Sequence, residues 1–165
     1  AFMRSWASMP DNFFEKHDFS IGMFVVGIAV IMFIMFGAGV LCPLVILTLQ
    51  TLWGEFTPEE FGLLFVSSAL IMTLSIVIPN ILIIRGRPKA VKVNQINIYF
   101  QLVCYSLLLL TFEHENKWFF LCFVIFPLLA NWLMASAKYQ AFLAYYEAIR
   151  KDPAGFRRSI EKMHE

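Results

Sequence analysis

The sequence predicts an all-α, polytopic integral membrane protein with four transmembrane helices, both termini on the cytoplasmic side, and helix four extended beyond the membrane. Three observations predict it. First, the 165 residues are 59% hydrophobic and 15% charged, with 18 Phe, against roughly 45–50% apolar and about 25% charged in ordinary soluble domains. Second, no Asp, Glu, Lys or Arg falls at 19–54, 61–84, 93–112 or 118–137. Each run reaches the ~20 residues that a helix needs to cross a hydrocarbon layer of roughly 30 Å. Third, the basic residues alternate between the two sides. The segments before the first run, between the second and third, and after the fourth hold all the Lys and Arg except Lys117, which shares the opposite loops with Glu55, Glu59, Glu60, Glu113 and Glu115. Lys and Arg are retained on the cytoplasmic side of short loops, which assigns that side to both termini. The expected location is a bacterial inner membrane or an organelle membrane, with residues 1–165 forming one membrane domain.

Residues 1–18 mix Trp6, Phe13 and Phe14 with charges and read as an amphipathic N-terminal segment at the membrane surface. The first run, 19–54, would be about 54 Å long as one straight helix. It is therefore expected to tilt, project beyond the lipid, or break near Gly37, Ala38, Gly39 and Pro43, with a kinked single span preferred to a re-entrant segment. The second span has the sharpest start: Thr57, Pro58, Glu59 and Glu60 supply a cap, a proline suited to the first helical turn, and the carboxylate of a capping box. The third opens with Asn94, Gln95 and Asn97, and the fourth carries Pro127 near its middle and Asn131 one turn later. The cytoplasmic tail, 138–165, keeps a helical pattern until Asp152 and Pro153, and a short amphipathic piece from Phe156 to Met163 follows.

Groups suited to chemistry are few. His17, His114 and His164 all lie outside the apolar runs, and Cys42, Cys104 and Cys122 are widely spaced within them, so neither a metal or haem set nor a disulfide framework is expected. Glu113, His114 and Glu115 are suitable ligand types, but three adjacent residues do not surround one ion, and they read as a solvated loop. Ser67, Ser68, Thr73 and Ser75 have no base in their run and are expected to bond to their own helix or a neighbouring one. No charged side chain sits within the runs to carry a coupled ion. The chain is expected to be no enzyme and to need no cofactor, and a net charge of +1 gives no reason to expect nucleic acid as a partner.

What stands out is polar or small. Asn80, Gln101 and Asn131 are amides within the spans, Asn131 being read as the deepest of them, with Thr48 and Gln50 near the end of span one. In hydrocarbon such groups face other helices. Ala137, Ala141, Ala144 and Ala148 form a small-residue seam, read equally as a docking face for another helix and as plain helix-forming composition. Arg85, Arg87, Lys89 and Lys92 read as a topology determinant and anchor before a headgroup site. Trp53, Trp118, Tyr139 and Tyr145 read as interfacial anchors. These features suggest a non-catalytic multi-spanning subunit or accessory protein that packs against other integral membrane proteins and contacts membrane lipids. The alternatives are an immunity protein against a pore-forming toxin and a small homo-oligomeric transport or lipid-handling protein, the latter with the kinked first span and Asn131 lining a polar path.

Overall fold

The computed structural model describes residues 20–111, 117–154 and 156. The expected N-terminal amphipathic segment, the Glu113–Glu115 loop and most of the last amphipathic piece lie outside the described residues. Among the described residues all regular structure is helical. Four helical stretches are long and apolar enough to cross a membrane: Ile21–Trp53, Pro58–Ile84, Pro88–Thr111 and Lys117–Met134.

Helix α1 is one continuous stretch, Ile21–Trp53, with Pro43 inside it, so the first span is not re-entrant and Gly37, Ala38 and Gly39 remain helical. Its 33 residues extend about 50 Å, which requires tilt or projection beyond the oil. Met23, Gly27, Val30, Ile34, Gly37, Leu41, Leu44 and Thr48 are all buried, and their alternating spacing of four and three gives α1 a coiled-coil-like seam. Every other span, and the tail helix, touches α1. It is the central rod of the bundle.

Helix α2, Pro58–Ile84, begins as its sequence dictates: Glu60 N–H donates to Thr57 Oγ1 at 3.3 Å and Thr57 N–H to Glu60 Oε2 at 2.9 Å. It closes in a Schellman turn, in which Gly86 N–H donates to the Ile83 carbonyl at 2.8 Å and Arg87 N–H to the Leu82 carbonyl at 2.9 Å. Gly86 holds φ +71 there, a conformation that glycine adopts without steric cost. A 3-10 turn, Pro88–Ala90, leads into α3, Val91–Thr111.

The fourth span is α4, Lys117–Leu121, a 3-10 turn, Cys122–Val124, and α5, Ile125–Met134. The tightened turn directly precedes Pro127, which has no N–H for the Phe123 carbonyl and whose ring crowds it. The helical path continues beyond the membrane as expected, but across a break at Ala135 and Ser136. Ser136 Oγ accepts from Tyr139 N–H at 3.2 Å and starts α6, Ala137–Lys151. The break lets α6 pack against the start of α1. Ring centroids lie 5.0 Å apart for Phe24 and Tyr145 and 6.2 Å for Phe24 and Phe142, and a Cβ on Gly27 would come within 2.6 Å of the Phe142 ring. Trp53 and Trp118 are exposed at helix ends, as anchors should be, but Tyr139 is 1% exposed and Tyr145 is half-buried in this aromatic cluster. Those two tyrosines bind the tail to the bundle instead of meeting the interface.

Gly86 also meets the tail: an added Cβ would lie 2.5 Å from the Tyr146 carbonyl oxygen and 2.6 Å from Arg150 Cβ. Gly86→Ala is therefore expected to destabilise the fold by about 2 kcal/mol or more, combining left-handed strain with overpacking. Gly62→Ala, where the Cβ meets open space inside a helix, is expected to be neutral or stabilising. Thermal unfolding of both variants in detergent checks the contrast.

Candidate functional site

Polar groups in hydrocarbon must find partners within the protein, since no water is present to take that place. Helix α3 meets this constraint with one face. Asn94, Asn97, Gln101 and Tyr105, spaced three, four and four residues apart, are all buried, while Ile96, Phe100, Val103 and Leu107 on other faces are exposed. Gln101 lies ten residues beyond Val91, a rise of about 15 Å, which places it near the middle of a hydrocarbon layer roughly 30 Å thick.

The bonds form a ladder that descends from the basic side to mid-membrane. Asn94 Nδ2 donates to Asn80 Oδ1 at 2.9 Å, and Asn80 Nδ2 donates to the Ile76 carbonyl at 2.7 Å. Asn97 Nδ2 donates to Ser75 Oγ at 3.1 Å, and Ser75 donates to the Met72 carbonyl at 2.7 Å. Gln101 Nε2 donates both to Asn97 Oδ1 at 3.0 Å and to the Ile34 carbonyl at 3.1 Å. Tyr105 OH donates to the Gly37 carbonyl at 3.0 Å. The upper rungs join α3 to α2 and the lower rungs join it to α1. Interhelical bonds of this kind are worth about 0.6 kcal/mol each on average in a bilayer.

Two buried acceptors, Asn94 Oδ1 and Gln101 Oε1, have no hydrogen-bond partner. Gln101 Oε1 faces Gly37 so closely that a Cβ there would collide with it, and a weak Cα–H···O contact from Gly37 is the interaction available to it. The same Cβ would lie 3.0 Å from Pro127 Cδ, so α1, α3 and α5 converge at this glycine. Next to Asn94 is Tyr139, at the start of α6; burial pushes its phenol up to about 12, while the Asn94 side chain opposes the shift. The ladder amides are neutral. Among the described residues no three His, Cys, Asp or Glu converge in a way that could hold a metal ion.

The residues singled out from sequence are divided by the structure. Asn80 and Gln101 lie within the ladder; Ser75, Asn94, Asn97 and Tyr105 complete it, and the spacing of the α3 residues is the sequence signal that marks them as one face. Asn131 stands apart and is not the deepest amide: it lies three residues before the end of α5 at Met134, half-buried, with no side-chain hydrogen bond among the described residues. In the alanine seam Ala137 is exposed, Ala141 is buried, and Ala144 and Ala148 are half-buried against the core, so this chain itself covers most of the seam. Arg85, Arg87, Lys89 and Lys92 are all exposed. Ser67 and Ser68 donate back to the Leu64 and Phe65 carbonyls of their own helix, and Thr48 bonds the Leu44 carbonyl.

On the lipid-facing side, α1 and α2 leave an apolar cleft of about 220 Å³ lined by Met35, Ala38, Gly39, Cys42, Phe65, Ala69, Met72, Thr73, Ile76 and Val77. Comparison with protein-family models, with curated proteins and with solved structures finds no match.

Gly37→Ala is expected to cost about 1–3 kcal/mol by overpacking against Gln101 and Pro127. In a Gln101→Ala background the penalty should shrink, and a double-mutant cycle by chemical denaturation in detergent measures that coupling. Alkali gives a second test. The Tyr139 phenol ionises more readily unfolded, at about 10, than folded, so the stability it contributes is complete below that pH and is lost as pH rises through about 12. Tyr139→Phe should flatten this part of the stability profile.

Proposed function

We propose that the protein is a non-catalytic multi-spanning membrane subunit or accessory protein that acts by packing its helices against those of another integral membrane protein. The observation that carries this reading is the outward surface of α2 and the cleft it makes with α1. Only 6% of the most apolar 18-residue stretch of α2 is buried inside the chain, and the cleft is walled by Ala38, Gly39, Ala69 and Thr73. Small side chains in a membrane helix allow another backbone to approach closely, which is where the association energy arises when lipid and side chains are equally apolar. Large residues elsewhere on α2, such as Leu63, Leu70 and Ile71, stand exposed and offer knobs for a facing helix.

The interior supports the same reading. Amides and hydroxyls of the spans engage one another and the backbone, so they serve cohesion. Asn131, half-buried with no side-chain hydrogen bond among the described residues, offers a polar contact to a facing chain. The expected polar path of a homo-oligomeric transporter finds less support, because Asn131 lies in the last turn of its helix.

Extraction from the native membrane in mild detergent should recover a stoichiometric companion protein. Gly39→Leu tests the surface directly. No atom lies within 4 Å of a Cβ at Gly39, and replacing a helical glycine gains about 1 kcal/mol of intrinsic helix propensity, so the variant should fold as well as the parent and lose its companion. A monodisperse monomer from native membrane, or undiminished recovery with Gly39→Leu, would overturn the proposal.

A further inference from the structure

We propose that the turn between α2 and α3 forms, with the end of α6, a binding surface for the phosphate headgroups of anionic lipids. Arg85, Arg87, Lys89 and Lys92 are all exposed, and they lie where α2 ends at Ile84 and α3 begins at Val91, at the level where two spans emerge from the oil. The backbone that presents them is held in place. Gly86 closes the Schellman turn, Pro88 starts the 3-10 turn, and Arg150 Nη1 donates to the Gly86 carbonyl at 3.3 Å. That last contact brings Arg150 of α6 to the same turn.

Counter-charge is scarce. Glu147 on α6 is engaged with Lys151 at 2.7 Å, Asp152 has contacts of its own, and among the described residues no carboxylate pairs with the four cations of the turn. The 3-10 turn has no side-chain cap, and neither it nor α3 has an acidic residue in its first turn, yet Lys89 and Lys92 sit there. Cations at the positive end of a helix are unfavourable and an anion is favourable, so a phosphate group relieves both the clustering and the misplacement. Membrane-ward of these charges the surface turns apolar at once, with Ile81, Ile84, Val93 and Ile96 exposed. Cations above and bare hydrocarbon below match a lipid, with its headgroup and acyl chains, better than free phosphate.

The full chain, delipidated in detergent, is titrated with phosphatidylglycerol, phosphatidylcholine or inorganic phosphate, and bound molecules are counted by native mass spectrometry alongside thermal unfolding. Phosphatidylglycerol should be retained at least tenfold more strongly than phosphatidylcholine, and the preference should fade as salt is raised on the unaltered protein. Arg87→Gln and Lys89→Gln should each weaken retention about fivefold, from the attraction each basic residue contributes at an anionic surface, while Arg87→Lys retains it. The salt series is independent of the variants, which matters because the same charges direct insertion. Equal retention of the two lipids, or a salt-insensitive preference, overturns the proposal; saturation by inorganic phosphate with no preference between lipids overturns the assignment to lipid.

Discussion

The rule that a polar group in oil must be satisfied by the protein itself governs the arrangement of this bundle. Helix α3 is amphipathic in reverse, with Asn94, Asn97, Gln101 and Tyr105 facing inward and aliphatic side chains facing out. Turning α3 about its axis would deliver those four side chains to hydrocarbon, at several kcal/mol for each group left unsatisfied. Apolar packing alone fixes no such orientation, because a lipid tail is as good a neighbour as a leucine. The amides therefore set the rotation of α3, and their bonds to Ser75, Asn80 and the Ile34 and Gly37 carbonyls set those of α2 and α1.

Close approach is the second requirement, and glycine supplies it on the central rod. Gly37 admits Gln101 from α3 and Pro127 from α5, and Gly27 admits the Phe142 ring from α6. Both belong to the buried seam of α1. Long-range hydrogen bonds and steric room thus coincide at Gly37, where the Tyr105 phenol also binds the carbonyl. The tail helix extends this logic past the membrane, pinning the start of α1 with aromatic rings and the α2–α3 turn with Arg150.

Once the interior groups are committed to cohesion, the features that remain available to other molecules lie outside: the apolar face of α2 and its cleft, Asn131, and the cationic turn. The proposed partner helix and anionic lipid each answer one of these. The two proposed surfaces occupy different levels, one within the oil and one at its edge.

From the sequence alone the class of the protein, its number of spans, the capped start of α2 and the end of α2 at Ile84 could be read, because charge exclusion and capping are local properties of the chain. The buried amides Asn80 and Gln101 and the hydroxyls of Ser67 and Ser68 were also legible as structural groups, since none had a charged neighbour in its run. Which residues of α1 face inward was not legible: where nearly every side chain is apolar, hydropathy marks no face, and only contact with four other helices selects Met23, Val30 and Ile34 over Val25, Ile28 and Met32. The α1 carbonyls that Gln101 and Tyr105 bond lie 67 and 68 residues away, a relation that no local pattern encodes. The tertiary structure alone decided that Asn131 stays outside the ladder, and that the alanine seam and Tyr139 pack into the core while Arg150 reaches the turn, because the break at Ser136 sends α6 back against α1.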